Sequence, residues 1–194
     1  YTKESDEPTI VMLASRLLWD KGIGEFVKAA RGLKTKHPDV KFVLVGDIDP
    51  QNPMTLKKES LNAWVKEGII EWWGHKQNMP KILGLSHIVT LPSYREGLPK
   101  VLLEAASIGR PIVTTNVPGC RDVVRDNING FLVDAKESSE LIEAIDKLII
   151  NKDLRLKMGL AGREIIFNEL FHNGYLKLSI GKKRHIKIEC YNFK

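Results

Sequence analysis

Cysteine and long hydrophobic runs are scarce in this chain of 194 residues. The two cysteines, Cys120 and Cys190, show no metal-binding or redox spacing, so we expect reduced thiols without a special role. No apolar run approaches the roughly 20 residues that cross a bilayer. The polar residues 1–8 do not resemble a signal peptide. We therefore expect a cytoplasmic protein.

Net positive charge is also scarce outside one end of the chain. The formal net charge is +6, but residues 171–194 hold six lysines and arginines against one glutamate, which leaves +1 for the first 170 residues. A nucleic-acid-binding domain carries a basic patch or stripe, so the main part of the chain predicts no nucleic-acid partner. The hydrophobic share of 43% and the charged share of 28% are those of an ordinary globular domain.

Short β-branched runs alternate with longer amphipathic stretches, which predicts a parallel sheet with helices on both faces. The predicted strands are 9–13, 41–45, 69–72, 87–91, 111–115 and 130–133. The predicted helices are 24–36, 55–67, 80–84, 99–108, 138–150 and 154–169. The pair at 118–119 is expected only to turn the chain. The predicted fold class is α/β, a Rossmann-like, doubly wound, mostly parallel six-stranded sheet, which binds ligands at the carboxyl ends of its strands.

The character of the sequence changes at residue 171. Residues 1–170 suffice for one domain with one core, which we take as the Rossmann-like domain. Residues 171–194 form a basic C-terminal tail, in which 176–180 and 186–188 alternate like strands. A solvated, unstructured tail is favoured over a membrane-docking patch, because solvated charge clusters are common.

The most informative stretch, residues 91–111, contains Glu96 before a predicted helix and Glu104 inside it. Eight residues of helical advance separate the two glutamates by roughly 12 Å on nearly one face. This exceeds the about 5 Å of a retaining glycosidase pair and suits an extended nucleotide sugar with one carboxylate at each end. Between them, the N–H groups of Gly97 and Leu98 lie at a helix start that favours a phosphate. Taken alone, Glu96 is equally well explained as an ordinary acidic residue near a helix start, and Glu104 as a solvated helix residue.

Two cations, Arg16 and Lys21, follow the first predicted strand. At the carboxyl edge of the sheet, a guanidinium and an ammonium can neutralise a diphosphate leaving group without a metal. Taken alone, surface cations around a tight loop are the commoner explanation. The same loop lacks the Gly-x-Gly-x-x-Gly fingerprint, which argues against a dinucleotide-binding oxidoreductase.

Several polar and aromatic residues near predicted strand ends have simpler explanations. Asp47 and Asp49 are expected to shape a turn rather than to line a cleft. Trp72 and Trp73 are expected to pack in the core, one on each side of their strand. His75 is equally consistent with a contact to a nucleotide base and with a structural role.

Several short motifs follow one another along residues 9–170, and each of them is weak alone. They are Ser15-Arg-Leu17 with Lys21-Gly22, Val45-Gly-Asp47, Trp73-Gly-His75, Pro92-Ser-Tyr-Arg-Glu-Gly-Leu-Pro99, Gly109-Arg-Pro111 and Pro118-Gly-Cys120. In this order and on these elements they are specific. Together they resemble the large retaining glycosyltransferase family called group 1 or family 4. The resemblance implies one half of a GT-B fold, in which this half binds the donor and an N-terminal half binds the acceptor.

The resemblance also implies roles for individual residues. The implied catalytic residues are Arg16, Lys21 and Glu96. The implied donor-binding residues are His75, Asn78, Met79, Ser93, Gly97, Leu98 and Glu104. Arg16 and Lys21 would contact the diphosphate, Glu96 the transferred sugar and Glu104 the ribose. The backbone amides at 97–98 would contact the sugar or phosphate, and the loop 75–79 the base. Retention of configuration, and the absence of a required metal or cofactor, are likewise implied.

The expected donor is a nucleoside diphosphate sugar, with a UDP-sugar favoured, and the expected acceptor is a polysaccharide or a lipid-linked saccharide at the inner membrane face. The acceptor-binding half is missing from this sequence, so the chain alone is expected to be inactive. The closing helix of the family should follow residue 169, where this sequence has its basic tail. The alternatives are a fragment of a sugar-nucleotide epimerase and a catalytically inactive nucleotide-binding or scaffold module.

Overall fold

The central feature of the fold is one six-stranded parallel sheet. The computed structural model of the chain describes residues 8–171, 176–180 and 186–190. The strands are β1 Ile10–Ala14, β2 Lys41–Val45, β3 Glu71–Trp72, β4 Ile88–Leu91, β5 Ile112–Thr115 and β6 Gly130–Val133. Their spatial order is β3-β2-β1-β4-β5-β6, and all five neighbouring pairs are parallel. The predicted doubly wound α/β sheet is confirmed, in the common Rossmann order.

Helices connect these strands. They are α1 Ile23–Lys36, α2 Lys58–Lys66, α3 Met79–Leu83, α4 Lys100–Ser107, α5 Pro118–Arg121, α6 Ser138–Ile150 and α7 Lys152–Ile165. A single 3-10 turn, Trp19–Lys21, precedes α1, and a π-helical segment, Ile166–Phe171, follows α7. The predicted helices are therefore present, with ends that shift by a few residues.

Two local differences from the predicted elements have physical reasons. The predicted helix at 55–67 starts only at Lys58, because the Thr55 hydroxyl accepts a hydrogen bond from the Asp49 N–H and holds Thr55 in the preceding loop. Residues Pro118–Arg121 form the short helix α5, whereas only a turn was predicted. The carbonyl of Val117 accepts the N–H groups of two residues in this helix and closes its single turn.

The sheet is buried on both of its faces. Val11 and Leu13 of β1 pack into the apolar cluster that contains α1 and α6, whereas Met12 and Ala14 pack into the cluster that contains α4. All five residues of β1 are buried. Burial on both faces explains why the strands read as continuous apolar runs rather than alternating patterns.

Two short strands lie beyond the main sheet. β7 Leu176–Ile180 and β8 Ile186–Cys190 pair in antiparallel fashion, which confirms the strand-like alternation of these segments. Here the structure has paired strands rather than an unstructured tail. Residues 172–175, 181–185 and 191–194 of the predicted tail lie outside the described residues. The proposed domain boundary at residue 171 stays a prediction.

The sheet order creates a crevice between two loops. The chain leaves β1 toward β2 on one side and leaves β4 toward β5 on the other, so the carboxyl ends of β1 and β4 form the switch point at which sheets of this order bind ligands. We call residues 15–22 the strand-1 loop and residues 92–99 the strand-4 loop. They touch at Gly22, which has a φ of +72° and whose Cβ, if present, would overlap the carbonyl of Pro92.

Candidate functional site

A cavity opens at the carboxyl edge of the sheet beside β1, β2 and β3. Its volume is about 640 Å³, which lies in the range of small-molecule binding sites. Three of the predicted site residues, Arg16, His75 and Met79, contribute to its wall. Val101, which is not among the predicted site residues, also lines the cavity from α4. Its position one turn before Glu104 was the available signal.

Two acidic residues after β2 give this cavity its polar side. The Arg16 guanidinium lies 3.4 Å from the Asp49 carboxylate, in a pair that is largely exposed on the arginine side. The Asp47 carboxylate accepts the N–H of His75 at 3.2 Å and thereby joins the loops after β2 and β3. The Asp47 carboxylate thus shapes the local backbone, as predicted, whereas Asp49 shapes the turn only through its main-chain N–H, which donates to the Thr55 hydroxyl. Both acids also line the cavity, which the sequence disfavoured.

The strand-1 and strand-4 loops are joined by an ion pair. The Lys21 ammonium donates to the Glu96 carboxylate at 2.8 Å, and the two side chains are 16% and 13% exposed. A charge-assisted hydrogen bond at this distance is strong, and partial burial protects it from screening. The structure therefore brings two of the three predicted catalytic residues into direct contact, while Arg16 pairs with Asp49.

The short helix α5 supports the strand-4 loop from below. Gly119 lies against the carbonyls of Glu96 and Gly97, and a Cβ at this position would overlap the Gly97 carbonyl. Cys120, one residue further on, is fully buried. Burial raises the pKa of its thiol, so Cys120 keeps its proton and is a poor nucleophile. The Pro118-Gly-Cys120 motif thus packs against the strand-4 loop and supports it, in addition to turning the chain.

The middle of the strand-4 loop is open to a ligand. Gly97 is exposed, and a Cβ built there would meet no atom within 4 Å in the described part of the chain. Leu98 is 44% exposed. Helix α4 begins two residues later, at Lys100. A phosphate or sugar could therefore approach the backbone closely at this position.

Glu104 is buried, so its interpretation as a solvated helix residue is wrong. It is 7% exposed, and burial raises the pKa of its carboxyl, while Lys100 opposes that rise from 3.7 Å away. A buried carboxylate near a cavity has a cost in free energy that a bound hydroxyl could offset. The contact of Glu104 with a ribose stays a prediction.

Two predicted donor-binding residues have structural partners. The fully buried Ser93 hydroxyl donates to the Asp20 carbonyl at 3.1 Å, and the Ser93 carbonyl accepts from the Thr115 hydroxyl. The Asn78 side chain accepts the N–H of Lys81 at 3.3 Å and caps α3. Direct contacts of these side chains with a donor stay predictions.

The two tryptophans pack as predicted. Trp72 packs against the apolar cluster on the α1 side of the sheet, and Trp73 packs against the opposite cluster. The Trp72 indole donates to the Gly46 carbonyl at 2.9 Å, and the Trp73 indole donates to the Glu71 carboxylate at 2.9 Å. Neither ring is therefore needed as a stacking platform.

Comparison with known proteins identifies the family. The family model of glycosyl transferases group 1 matches residues 2–165, and the chain belongs to this family. A curated relative from Campylobacter jejuni is N,N'-diacetylbacillosaminyl-diphospho-undecaprenol alpha-1,3-N-acetylgalactosaminyltransferase. The two are 35% identical over 153 residues, which are 79% of this chain and 39% of the relative. The predicted resemblance is confirmed.

Solved structures agree with this assignment. HepE from Anabaena, crystallised with UDP and glucose, superposes with a TM-score of 0.72 at 25% identity over 82% of this chain and 44% of its own. The C-terminal domain of the group 1 glycosyltransferase LpcC from Francisella tularensis gives a TM-score of 0.73 at 24% identity over 84% and 87%. This chain therefore has the fold of one half of a GT-B glycosyltransferase, and it spans half or less of the length of the curated relatives it matches. None of its described helices combines the length and apolar character needed to cross a membrane.

Proposed function

We propose that this chain binds the donor, a UDP-sugar, for a retaining glycosyl transfer. The observation that supports the proposal is the placement of Arg16 on the wall of a cavity of about 640 Å³ and of the Lys21–Glu96 pair in the adjoining crevice. A nucleoside would occupy the cavity, and its diphosphate would extend toward the strand-4 loop. This loop begins where parallel sheets of this order bind phosphates.

The roles of the charged groups follow from charge and position. Arg16 and Lys21 neutralise the diphosphate as it leaves, so no metal is required in the proposed reaction. Glu96 accepts hydrogen bonds from the transferred sugar, and the open backbone at Gly97 and Leu98 receives the sugar or phosphate. Glu104 accepts the ribose hydroxyls from its buried position.

The predicted residues of the loop 75–79 surround the base in this proposal. His75 and Met79 line the cavity, and Asn78 caps α3, which begins at Met79. The hydrogen bond from the His75 N–H to the Asp47 carboxylate fixes the backbone of the loop 75–79. We propose that this loop contacts uracil, and that Ser93 acts by holding the strand-4 loop in place.

The comparisons support a lipid-linked or saccharide acceptor. The relative from Campylobacter jejuni transfers N-acetylgalactosamine to a diphospho-undecaprenol-linked saccharide, as its name states. We propose an N-acetylhexosamine as the sugar and a similar acceptor, which would place the complete protein at the inner membrane face. The acceptor half lies outside this chain, so the chain alone should transfer little or nothing.

Calorimetric titration of the chain with UDP, GDP and UDP-N-acetylgalactosamine tests this function. Saturable binding of the uridine ligands, weakened about tenfold or more by Arg16→Ala and by Glu104→Ala, would support it. Arg31→Ala is a matched control, because Arg31 is paired with Glu67, the residue after α2, and neither residue lines the cavity. The absence of uridine binding at millimolar ligand, both alone and with the N-terminal half of a relative added, would refute the proposal.

A further inference from the structure

The start of the strand-4 loop is bonded to the strand-1 loop. The Tyr94 N–H donates to the Asp20 carbonyl at 2.9 Å, and the Ser93 hydroxyl donates to the same oxygen at 3.1 Å. Lys21 follows Asp20 directly, and Glu96 follows Tyr94 by two residues. The two members of the ion pair are therefore held by a backbone joint immediately beside them.

The Tyr94 side chain adds a second joint, to the first turn of α1. Its hydroxyl donates to both oxygens of the Glu25 carboxylate, at 3.0 and 3.1 Å. Glu25 is only 9% exposed. Burial, together with the bond to Glu25, raises the pKa of Tyr94 to about 12, so the hydroxyl remains a donor at every pH at which the protein is handled.

A packing role alone does not explain this pair. Glu25 occupies a buried position of an amphipathic helix, where an apolar residue would be the stable choice and an unbonded carboxylate would be costly. The Lys136 ammonium lies 5.1 Å from the centroid of the Tyr94 ring and covers its outer side. The Tyr94 side chain therefore has a partner at its hydroxyl and another at its ring, and both contacts are made within the strand-4 loop, two residues before Glu96.

We propose that Glu25 and Tyr94 form a positioning pair that holds Glu96 against Lys21 and thereby sets how much the sugar contributes to the affinity for a nucleotide sugar. The second part rests on the proposed function, whereas the first part concerns the chain without a ligand. Neither residue touches the ligand in this scheme. Both act through the placement of Glu96.

A double-mutant cycle on the unliganded chain tests the first part. If Tyr94 positions Glu96, then Tyr94→Phe and Lys21→Met disturb the same ion pair. The effect of the double variant on the unfolding equilibrium constant should then be smaller than the product of the two single effects, by about threefold or more. Arg31→Met is the matched control, because the Arg31–Glu67 pair belongs to α1 and the residue after α2 and should combine independently with Lys21→Met. Independent effects of Tyr94→Phe and Lys21→Met would overturn the proposal.

Calorimetry with UDP and UDP-N-acetylgalactosamine tests the second part. Tyr94→Phe should leave the Kd of UDP within about twofold and raise the Kd of the nucleotide sugar about three- to tenfold. Glu25→Gln keeps an acceptor oxygen and should retain most of the wild-type affinity. The double variant Tyr94→Phe with Glu25→Leu should recover the melting temperature, since no buried carboxylate is left unpaired, without recovering the sugar affinity.

The outcomes separate this inference from the proposed function. Equal changes for UDP and for the nucleotide sugar, or recovery of both by the double variant, would reduce the pair to a structural role and overturn the inference. A wild-type chain that binds neither uridine ligand would contradict the proposed function, and the cycle would still decide whether Tyr94 positions Glu96.

Discussion

The Lys21 ammonium meets the Glu96 carboxylate 2.8 Å away, across two loops whose paired residues stand 75 positions apart in the sequence. The contact joins the carboxyl ends of β1 and β4, the two strands that flank the crevice. A bound diphosphate would compete with Glu96 for the same ammonium. Lys21 therefore has one partner in the free chain and a second, stronger one in the proposed complex.

Loss of the Lys21 charge should weaken nucleotide binding. Lys21→Met is expected to raise the Kd of UDP at least tenfold, which is about 1.4 kcal/mol, because hydrogen bonds to charged groups contribute about that much or more. Calorimetric titration measures the change. Lys28→Met, at an exposed position of α1, is the control and should bind UDP like the wild type. Equal Kd values for the two variants would remove Lys21 from the site.

Glu96→Gln separates the sugar from the diphosphate. The change breaks the ion pair and frees the ammonium, so the affinity for UDP should not fall. The affinity for UDP-N-acetylgalactosamine should fall about tenfold, because an amide accepts hydrogen bonds from sugar hydroxyls less strongly than a carboxylate. Competition titrations with both ligands provide the test. An equal loss for both ligands would place Glu96 at the diphosphate instead.

The stability of the chain should depend on pH through Glu104. Burial raises the pKa of this carboxyl, so the folded chain holds a proton that the unfolded chain releases, and stability falls as the pH rises through the folded-state pKa. Glu104→Gln lacks this loss. Its melting temperature should match the wild type below the unfolded-state pKa of about 4.3, exceed it as the pH rises above that value, and keep a constant lead once the pH is above the raised folded-state pKa of Glu104. Glu143→Gln, exposed on α6, should show a constant difference.

Two glycines near the strand-4 loop should respond in opposite ways to a methyl group. Gly119→Ala places its Cβ against the Gly97 carbonyl and should cost about 1–3 kcal/mol through overpacking. Gly97→Ala meets open space and should leave the melting temperature nearly unchanged while it hinders the approach of a ligand. Thermal unfolding and UDP titration of both variants measure the contrast. A Gly119→Ala chain as stable as the wild type would show that α5 does not support the loop.

The ionic contact of Asp146 on α6 with Lys36 and His37 at the end of α1 should be lost in acid. Asp146 accepts from His37 at 2.6 Å and from Lys36 at 3.0 Å, and the bond to His37 is the main cause of the lowered pKa of its carboxyl. This stabilisation is present above the unfolded-state pKa of about 3.9 and is lost as the pH falls through the folded-state value. Asp146→Asn should cost about 0.5–1 kcal/mol at pH 7.

Chemical unfolding as a function of pH checks this expectation. The difference between Asp146→Asn and the wild type should shrink as the pH falls below about 3.9 and disappear below the lowered folded-state pKa of Asp146. Asp39→Asn, in the exposed turn that follows α1, is the control and should show no such dependence. A difference that persists in acid would mean that the substitution acts through packing instead.

The sheet could be predicted from the sequence because burial on both faces leaves a continuous apolar signal. The segments 41–45 and 130–133 match β2 and β6 residue for residue. The same reasoning located the loops after β1 and β4, since the carboxyl edge of a parallel sheet follows from strand order. The family and the positions of Lys21 and Glu96 follow from motifs that lie in these loops.

Other parts of the site depend on tertiary contacts that leave no local pattern. A hydrogen bond from the Asp49 N–H holds Thr55 in the loop before α2, and helix propensity does not predict this bond. Burial of Glu104 depends on what packs over α4. The Tyr94–Glu25 bond joins residues 69 positions apart, and only the fold shows that the buried acid on α1 has a donor. The packing of Gly119 against the strand-4 loop likewise depends on the Gly97 carbonyl, which only folding brings close.

The order in which the strands lie has a consequence for folding itself. Because β1 pairs with β4 as well as with β2, the crevice exists only after the chain has closed a loop of 75 residues. Closing this loop costs conformational entropy. Local helices and the β1–β2 pair can form earlier without creating any part of this crevice. A ligand that needs both loops thus binds only chains whose central sheet is complete, and by mass action it protects them from unfolding. A ligand bound in this way therefore also stabilises the folded state of the chain.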